Sequence, residues 1–167
     1  MLELKNITKI YATDDFKQTA LDNISIVFRK CEFVSILGPS GSGKTTLLNI
    51  LASLDKASSG EVYLEGKLIN NIKDKDLASF RREYFSYIFQ YPVIVPTLNV
   101  IDNILIPLSF KHKITEEEIK QTKKNIELFS LKEKTYLKAS NLSGGEMKKV
   151  SVLRALAYGC KCLIADE

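Results

Sequence analysis

FVSILGPSGSGKTTLLNILASL, residues 33–54, places a compact apolar run, a glycine-rich turn and a second apolar run in immediate succession. Residues 33–37 have the pattern of a strand buried on both faces, and residues 47–54 that of a helix. Between them, Gly38, Gly43, Lys44 and Thr45 satisfy G-x-x-x-x-G-K-[ST]. The residue types suit phosphate. Glycines let successive backbone N–H groups point inward at an anion. A helix starting near Lys44 adds its positive N-terminal end. Lys44 brings a mobile point charge for the β- and γ-phosphates, and the Thr45 hydroxyl is a hard oxygen ligand for Mg²⁺. Strand, loop and helix in this order predict nucleotide binding in an α/β fold.

The surrounding chain fits that core. With 167 residues it can bury one real hydrophobic core. No apolar stretch approaches a membrane span, and MLELKNITKIY at the start lacks the layout of a signal peptide. A net charge of +4, with most Lys beside Glu or Asp, reads as a solvated surface and not a nucleic-acid footprint. Three cysteines, Cys31, Cys160 and Cys162, fit neither a disulfide framework nor a complete zinc site.

Upstream, LELKNITKIY (2–11) and LDNISIVFR (21–29) read as strands of an antiparallel layer, joined by a polar stretch. EVYLEG (61–66) is a short strand, DKDLASFRREY (74–84) a helix starting near Asp74 or Asp76, and FSYIFQ (85–90) a strand. YPVIVPTLNV (91–100) carries two prolines and is irregular. The following apolar helix is interrupted near Pro107. A better helix follows Thr115, its expected cap, with Glu116 to Glu118 in the first turn and Ile119, Ile126 and Phe129 on one face. Next, Met147, Val150, Leu153, Leu156 and Ala157 form one helical stripe, and Gly159 is the expected stop.

Two further stretches carry chemistry. LSGGE (142–146) opens a helix with a serine and two glycines, presenting a hydroxyl, bare amides and a helix dipole to an anion. One mononucleotide does not need two such helix ends from one chain. A dimer, with Ser143 of each chain facing the phosphate loop of the other, accounts for both. KCLIADE (161–167) is a buried strand ending in two carboxylates. Asp166 fits the Mg²⁺-holding carboxylate of phosphate-loop ATPases, and Glu167 would polarise the attacking water. Two solvated terminal acids are the alternative.

GPSGSGKTT, Phe89-Gln90, LSGGE and CLIADE in this order resemble the ATP-binding domain of ABC transporters, over essentially the whole chain. Within that family, residues 33–66 and the run YIFQ…VPTLNVIDNILIPL look most like the subgroup serving lipoprotein release, macrolide export and antimicrobial-peptide resistance. The resemblance implies a mostly parallel sheet, an N-terminal antiparallel β layer and a helical subdomain over about residues 91–145, all in one domain spanning residues 1–167. It implies phosphate and Mg²⁺ binding by Gly38, Pro39, Ser40, Gly41, Ser42, Gly43, Lys44, Thr45 and Thr46. Tyr11 falls where the family stacks an aromatic on adenine, with a core strand aromatic as the alternative. Gln90 would contact metal or water and sense a membrane partner. Ser143, Gly144 and Gly145 would bind the γ-phosphate of ATP held by the other subunit. Asp166 would hold Mg²⁺, and Glu167 would be the catalytic base.

The implied function is ATP hydrolysis in a homo- or heterodimer that drives a transmembrane permease subunit from the cytoplasmic face of the membrane. A soluble ATPase acting on nucleic acid or ribosomes would show insertions, tandem halves or a basic arm. A non-hydrolysing nucleotide-binding fragment is a third reading. Some positions depart from the family. Cys31 stands where glycine is usual and implies a different turn. Lys149 stands at an Arg position and keeps charge without the planar fork. Glu146 is a variant known in the subgroup. The family continues past its catalytic Glu with a dimer-contact loop and a His that His112 cannot replace. The sequence therefore reads as C-terminally incomplete, with weak hydrolysis by this chain alone.

Overall fold

The computed structural model describes residues 1–166, apart from the side chain of Asp74. The chain divides into two compact units, Met1–Arg81 and Arg82–Glu167.

The first unit is built on an antiparallel sheet of order β2-β1-β3-β4. Strands β1 (Leu2–Thr13) and β2 (Phe16–Phe28) form a long hairpin whose ladder closes at Thr13 opposite Phe16. The strands thus run through the polar stretch expected to separate them, because cross-strand pairing tolerates polar residues where both faces meet solvent. β3 (Ser59–Leu64) pairs with the other edge of β1 and turns into β4 (Lys67–Leu68) through Glu65 and Gly66, both at positive φ. That is the two-residue turn matching strand twist. Leu4 and Ile7 of β1, Val62 of β3 and Leu47, Ile50 and Leu51 of helix α1 (Lys44–Leu51) are all buried. Leu48 and the Ala52 backbone close the helix end.

Residues 33–37 do not form the expected strand, and among the described residues no strand pairs with them. Phe33 is 97% exposed and Leu37 88% exposed. An apolar run signals a preference for burial, but a strand also needs neighbours for its N–H and C=O groups, and the antiparallel sheet offers it none. Cys31 has a φ of +58°, the left-handed conformation that glycine adopts without penalty, so this residue is strained. The Arg29 N–H donates to Glu32 Oε2 at 2.8 Å across this turn.

Helix α2 (Asp74–Tyr84) leads into the second unit, where β5 (Phe85–Ile88) and β6 (Cys162–Ala165) pair in parallel. Helices α3 (Val100–Ser109), α4 (Glu116–Leu128) and α5 (Gly144–Ala157) pack around Val100, Ile104, Ile126, Leu131, Val150 and Leu153. Thr115 caps α4 in a reciprocal box with Glu118, as the sequence predicts. The positive φ of Gly159, +66°, marks the end of α5. Leu156, expected on the buried stripe of α5, is 50% exposed, because it sits at the margin of the face that Val150 and Leu153 bury. Pro107 does not interrupt α3, which runs on to Ser109. The lost N–H costs one bond near the helix end, where Leu105 and Leu108 are buried and the Leu108 carbonyl accepts from Lys111 and His112.

Asn103, fully buried on α3, organises the irregular segment between β5 and α3. Its Oδ1 accepts from the Val95 N–H at 2.8 Å, and its Nδ2 donates to the Val95, Leu98 and Asn99 carbonyls at 3.0, 3.3 and 3.0 Å. Two outcomes follow in thermal unfolding. Asn103→Ala lowers stability by roughly 2–4 kcal/mol, since it orphans buried backbone groups and leaves a void. Cys31→Gly raises it by up to about 1 kcal/mol through relief of the left-handed strain.

Candidate functional site

Residues 38–43 lead directly into the start of α1 at Lys44. Gly41 and Gly43 have φ of +79° and +90°, so the loop turns through conformations closed to other residues without strain. Gly43 has a second constraint: a Cβ there would lie 2.4 Å from the Ala20 carbonyl oxygen of β2. The Ser42 N–H donates to the Pro39 carbonyl at 3.3 Å, and the Leu47 N–H to the Gly43 carbonyl at 2.9 Å. Gly43 is the N-cap of α1, and no side-chain cap bond closes this helix start. Lys44 Nζ folds back on the loop and donates to the Gly38 and Pro39 carbonyls, each at 2.9 Å. Ser40 and Thr45 are exposed and Thr46 is half-buried.

Tyr11 lies on β1 opposite Gln18 and is 42% exposed, so it is not a core aromatic. Its hydroxyl donates to Asp55 Oδ2 at 3.0 Å, and Lys9 Nζ stands 4.9 Å from the ring centroid. Lys9 also donates to Asp55 Oδ1 at 2.7 Å. Burial pushes the Asp55 carboxyl up, but the hydrogen bonds from Lys9 and Tyr11 outweigh it and hold the group below its usual range.

In the second unit, the parallel pairing of Ile88 with Ala165 sets Gln90 and Asp166 just beyond the C-terminal ends of adjacent strands. Crevices at such strand ends are where open α/β sheets hold ligands. The Asp166 N–H donates to the Ile88 carbonyl at 2.9 Å, and Asp166 is buried. Burial pushes the Tyr87 phenol up to about 12, and the Asp166 charge adds to the shift. Gln90 is exposed. Glu167 lies outside the described residues.

Ser143 is the N-cap of α5. Its Oγ accepts from the Glu146 N–H at 3.4 Å, while Glu146 Oε2 accepts from the Ser143 N–H at 2.9 Å. The Ser143 hydroxyl also hydrogen-bonds to the Glu146 carboxylate. Glu146 also takes Lys134 Nζ at 2.5 Å. That bond first, and the Ser143 backbone second, hold the Glu146 carboxyl down at about 2. Gly144 and Gly145 have no atom within 4 Å of a would-be Cβ and no positive φ. The fold of the chain itself therefore does not require glycine at either position.

Tyr11 and residues 38–46 belong to the first unit, and Gln90, Ser143, Gly144, Gly145 and Asp166 to the second. Sequence reasoning missed Lys148, which donates from α5 to the Phe89 and Gln90 carbonyls at 2.9 and 3.1 Å. It also missed Asp55 and Lys9. A lysine bonded to distant main-chain carbonyls leaves no local pattern. Lys149, singled out for its charge, donates to the Phe129 carbonyl at 3.0 Å.

The ABC transporter family profile matches residues 21–167. The chain is 41% identical over 170 residues to the bacitracin export ATP-binding protein BceA of Halalkalibacterium halodurans, covering all of this chain and 66% of that protein. It is 38% identical over 168 residues to the lipoprotein-releasing system ATP-binding protein LolD of Francisella tularensis, again over its whole length and 73% of the relative. Among solved structures, the dimeric post-hydrolysis state of the ATP-binding cassette MJ0796 bound to ADP and Pi, from Methanocaldococcus jannaschii, superposes with a TM-score of 0.90. That match has 36% identity and covers all of this chain and 74% of the other. The profile match over residues 21–167 and these likenesses to ATP-binding proteins show that the chain belongs to the ABC transporter family.

Proposed function

We propose that the chain hydrolyses ATP as one of two ATP-binding subunits and that this drives a transmembrane permease at the cytoplasmic face of the membrane. The observation that carries the reading is the presence of two glycine-marked helix N-termini in one chain. One is α1 behind the phosphate loop, without a side-chain cap. The other is α5, where glycines that the fold does not need leave the approach clear. A single mononucleotide engages the first, so the second is left for the ATP of another subunit.

Each residue then has a chemical task. Lys44 exchanges the Gly38 and Pro39 carbonyls, its partners here, for the β- and γ-phosphate oxygens. The amides of residues 38–46 donate to the phosphate oxygens, and Tyr11 carries the adenine. Ser143, Gly144 and Gly145 donate to the γ-phosphate held by the other subunit. The Thr45 hydroxyl, the Gln90 amide oxygen and the Asp166 carboxylate are hard oxygen donors, a set suited to Mg²⁺. When bound, Mg²⁺ neutralises charge on the transferring phosphoryl group. Glu167 accepts a proton from the attacking water as the bond between the γ-phosphorus and the bridging oxygen breaks, yielding ADP and phosphate. Residues 91–107, whose irregular part Asn103 ties to α3 through Val95, Leu98 and Asn99, form the docking region for the permease, with Gln90 at its edge. Residues 91–145 make up a helical subdomain within a single domain.

Equilibrium titration of the full chain with ATP tests the loop: Lys44→Ala weakens binding about tenfold or more, and an unchanged affinity overturns the assignment. Gly145→Asp tests the second subunit. It places a carboxylate at the open end of α5, so ATP-dependent dimerisation in sedimentation is lost while ATP binding by the monomer persists. A dimer that forms normally overturns the two-subunit reading.

A further inference from the structure

We propose that Asp55 and Lys9 are positioning residues that lock the Tyr11 ring as a preformed platform for the purine of the bound nucleotide. The inference rests on the reading of Tyr11 as the adenine-stacking residue and deepens it.

A tyrosine on an exposed strand is free to swing about two side-chain torsions, and binding a base against it has to remove that freedom. Here the freedom is already gone. The Cβ end of Tyr11 is fixed by β1, paired with Gln18 of β2. The hydroxyl end is fixed by Asp55 Oδ2 at 3.0 Å. Asp55 is itself held: Lys9 Nζ donates to its Oδ1 at 2.7 Å and to the Lys56 carbonyl at 2.7 Å. The Lys9 side chain is only 12% exposed, so this pair is better protected from solvent than an ordinary surface ion pair.

Lys9 has a second effect. It lies two residues before Tyr11 on the same strand, hence on the same face of the sheet. Its ammonium stands over the ring, 4.9 Å from the centroid. A cation on one face draws on the π electrons and makes the other face a better partner for an electron-rich purine. Tyr11 as a whole is 42% exposed, so the residue is open to a partner from outside the chain.

The lock is tied to the phosphate site through one helix. α1 begins at Lys44, and the amides of Leu54 and Asp55, just past its end, both donate to the Asn49 carbonyl at 2.8 and 3.2 Å. The segment that presents the phosphate loop therefore also places the carboxylate that orients the ring.

Binding of ATP and of inorganic tripolyphosphate to the full chain separates positioning from general structure, because tripolyphosphate has no base. Tyr11→Phe keeps the ring and removes only the hydroxyl, so it leaves folding least disturbed. Tyr11→Phe and Asp55→Ala are each expected to weaken ATP binding about 3- to 10-fold and to leave tripolyphosphate affinity unchanged. The double variant adds no further loss. If both bind ATP as the wild type does while Tyr11→Ala binds it weakly, the lock is wrong and the platform stands. If Tyr11→Ala also binds ATP normally, the platform reading falls and the lock with it. Equal losses for ATP and tripolyphosphate would mark a merely structural role and overturn the inference.

Discussion

Helix α1 starts where Gly43 lies against β2 with no space for a side chain, a would-be Cβ standing 2.4 Å from the Ala20 carbonyl oxygen. Its φ of +90° closes the position to other residues a second time. This contact pins the helix, and therefore the loop before it, to the antiparallel hairpin. The same hairpin carries Tyr11 on its other strand. Loop, helix and aromatic ring thus share one rigid support, and their geometry does not depend on side chains finding one another.

The helix starts of the chain show how capping separates structural ends from binding ends. At α4, Thr115 and Glu118 satisfy each other's backbone groups, the ordinary way to close a helix. At α1 no side-chain cap bond is made, and Gly43 itself is the N-cap. At α5, Ser143 and Glu146 form the same reciprocal box as in α4, yet two glycines follow with open space around them. The cap holds the helix, and the glycines keep its approach clear. On the proposed reading, α5 meets its phosphate from outside the chain.

The segment between β5 and α3 has no regular structure, and a side chain supplies what a sheet or helix would. The Asn103 amide satisfies main-chain groups of Val95, Leu98 and Asn99 from a fully buried position. Lys148 adds a second tether, from α5 to the carbonyls of Phe89 and Gln90. The backbone at Gln90 is thereby linked to the helix that begins at Ser143, so a displacement of one is felt by the other through two hydrogen bonds.

Local chemistry was legible in the chain. The glycine loop, Thr115 before its run of acids, the stop at Gly159 and the acidic strand end each need only residues close in sequence, because turns and caps are decided by φ preferences and short-range hydrogen bonds. Patterns that depend on distant partners misled. The apolar residues 33–37 signal burial but cannot say which strands flank them, and Phe33 and Leu37 stand exposed. Pro107 marks a lost hydrogen bond, yet packing of Leu105 and Leu108 carries the helix past it. The identities of Lys9, Asp55, Asn103 and Lys148 reveal no role by themselves. The sequence by itself determined that this protein binds phosphate and where its helices begin. Only the tertiary structure decided which polar side chains hold Tyr11 and Gln90, because those bonds join residues 44 to 59 positions apart in the chain and leave no local pattern.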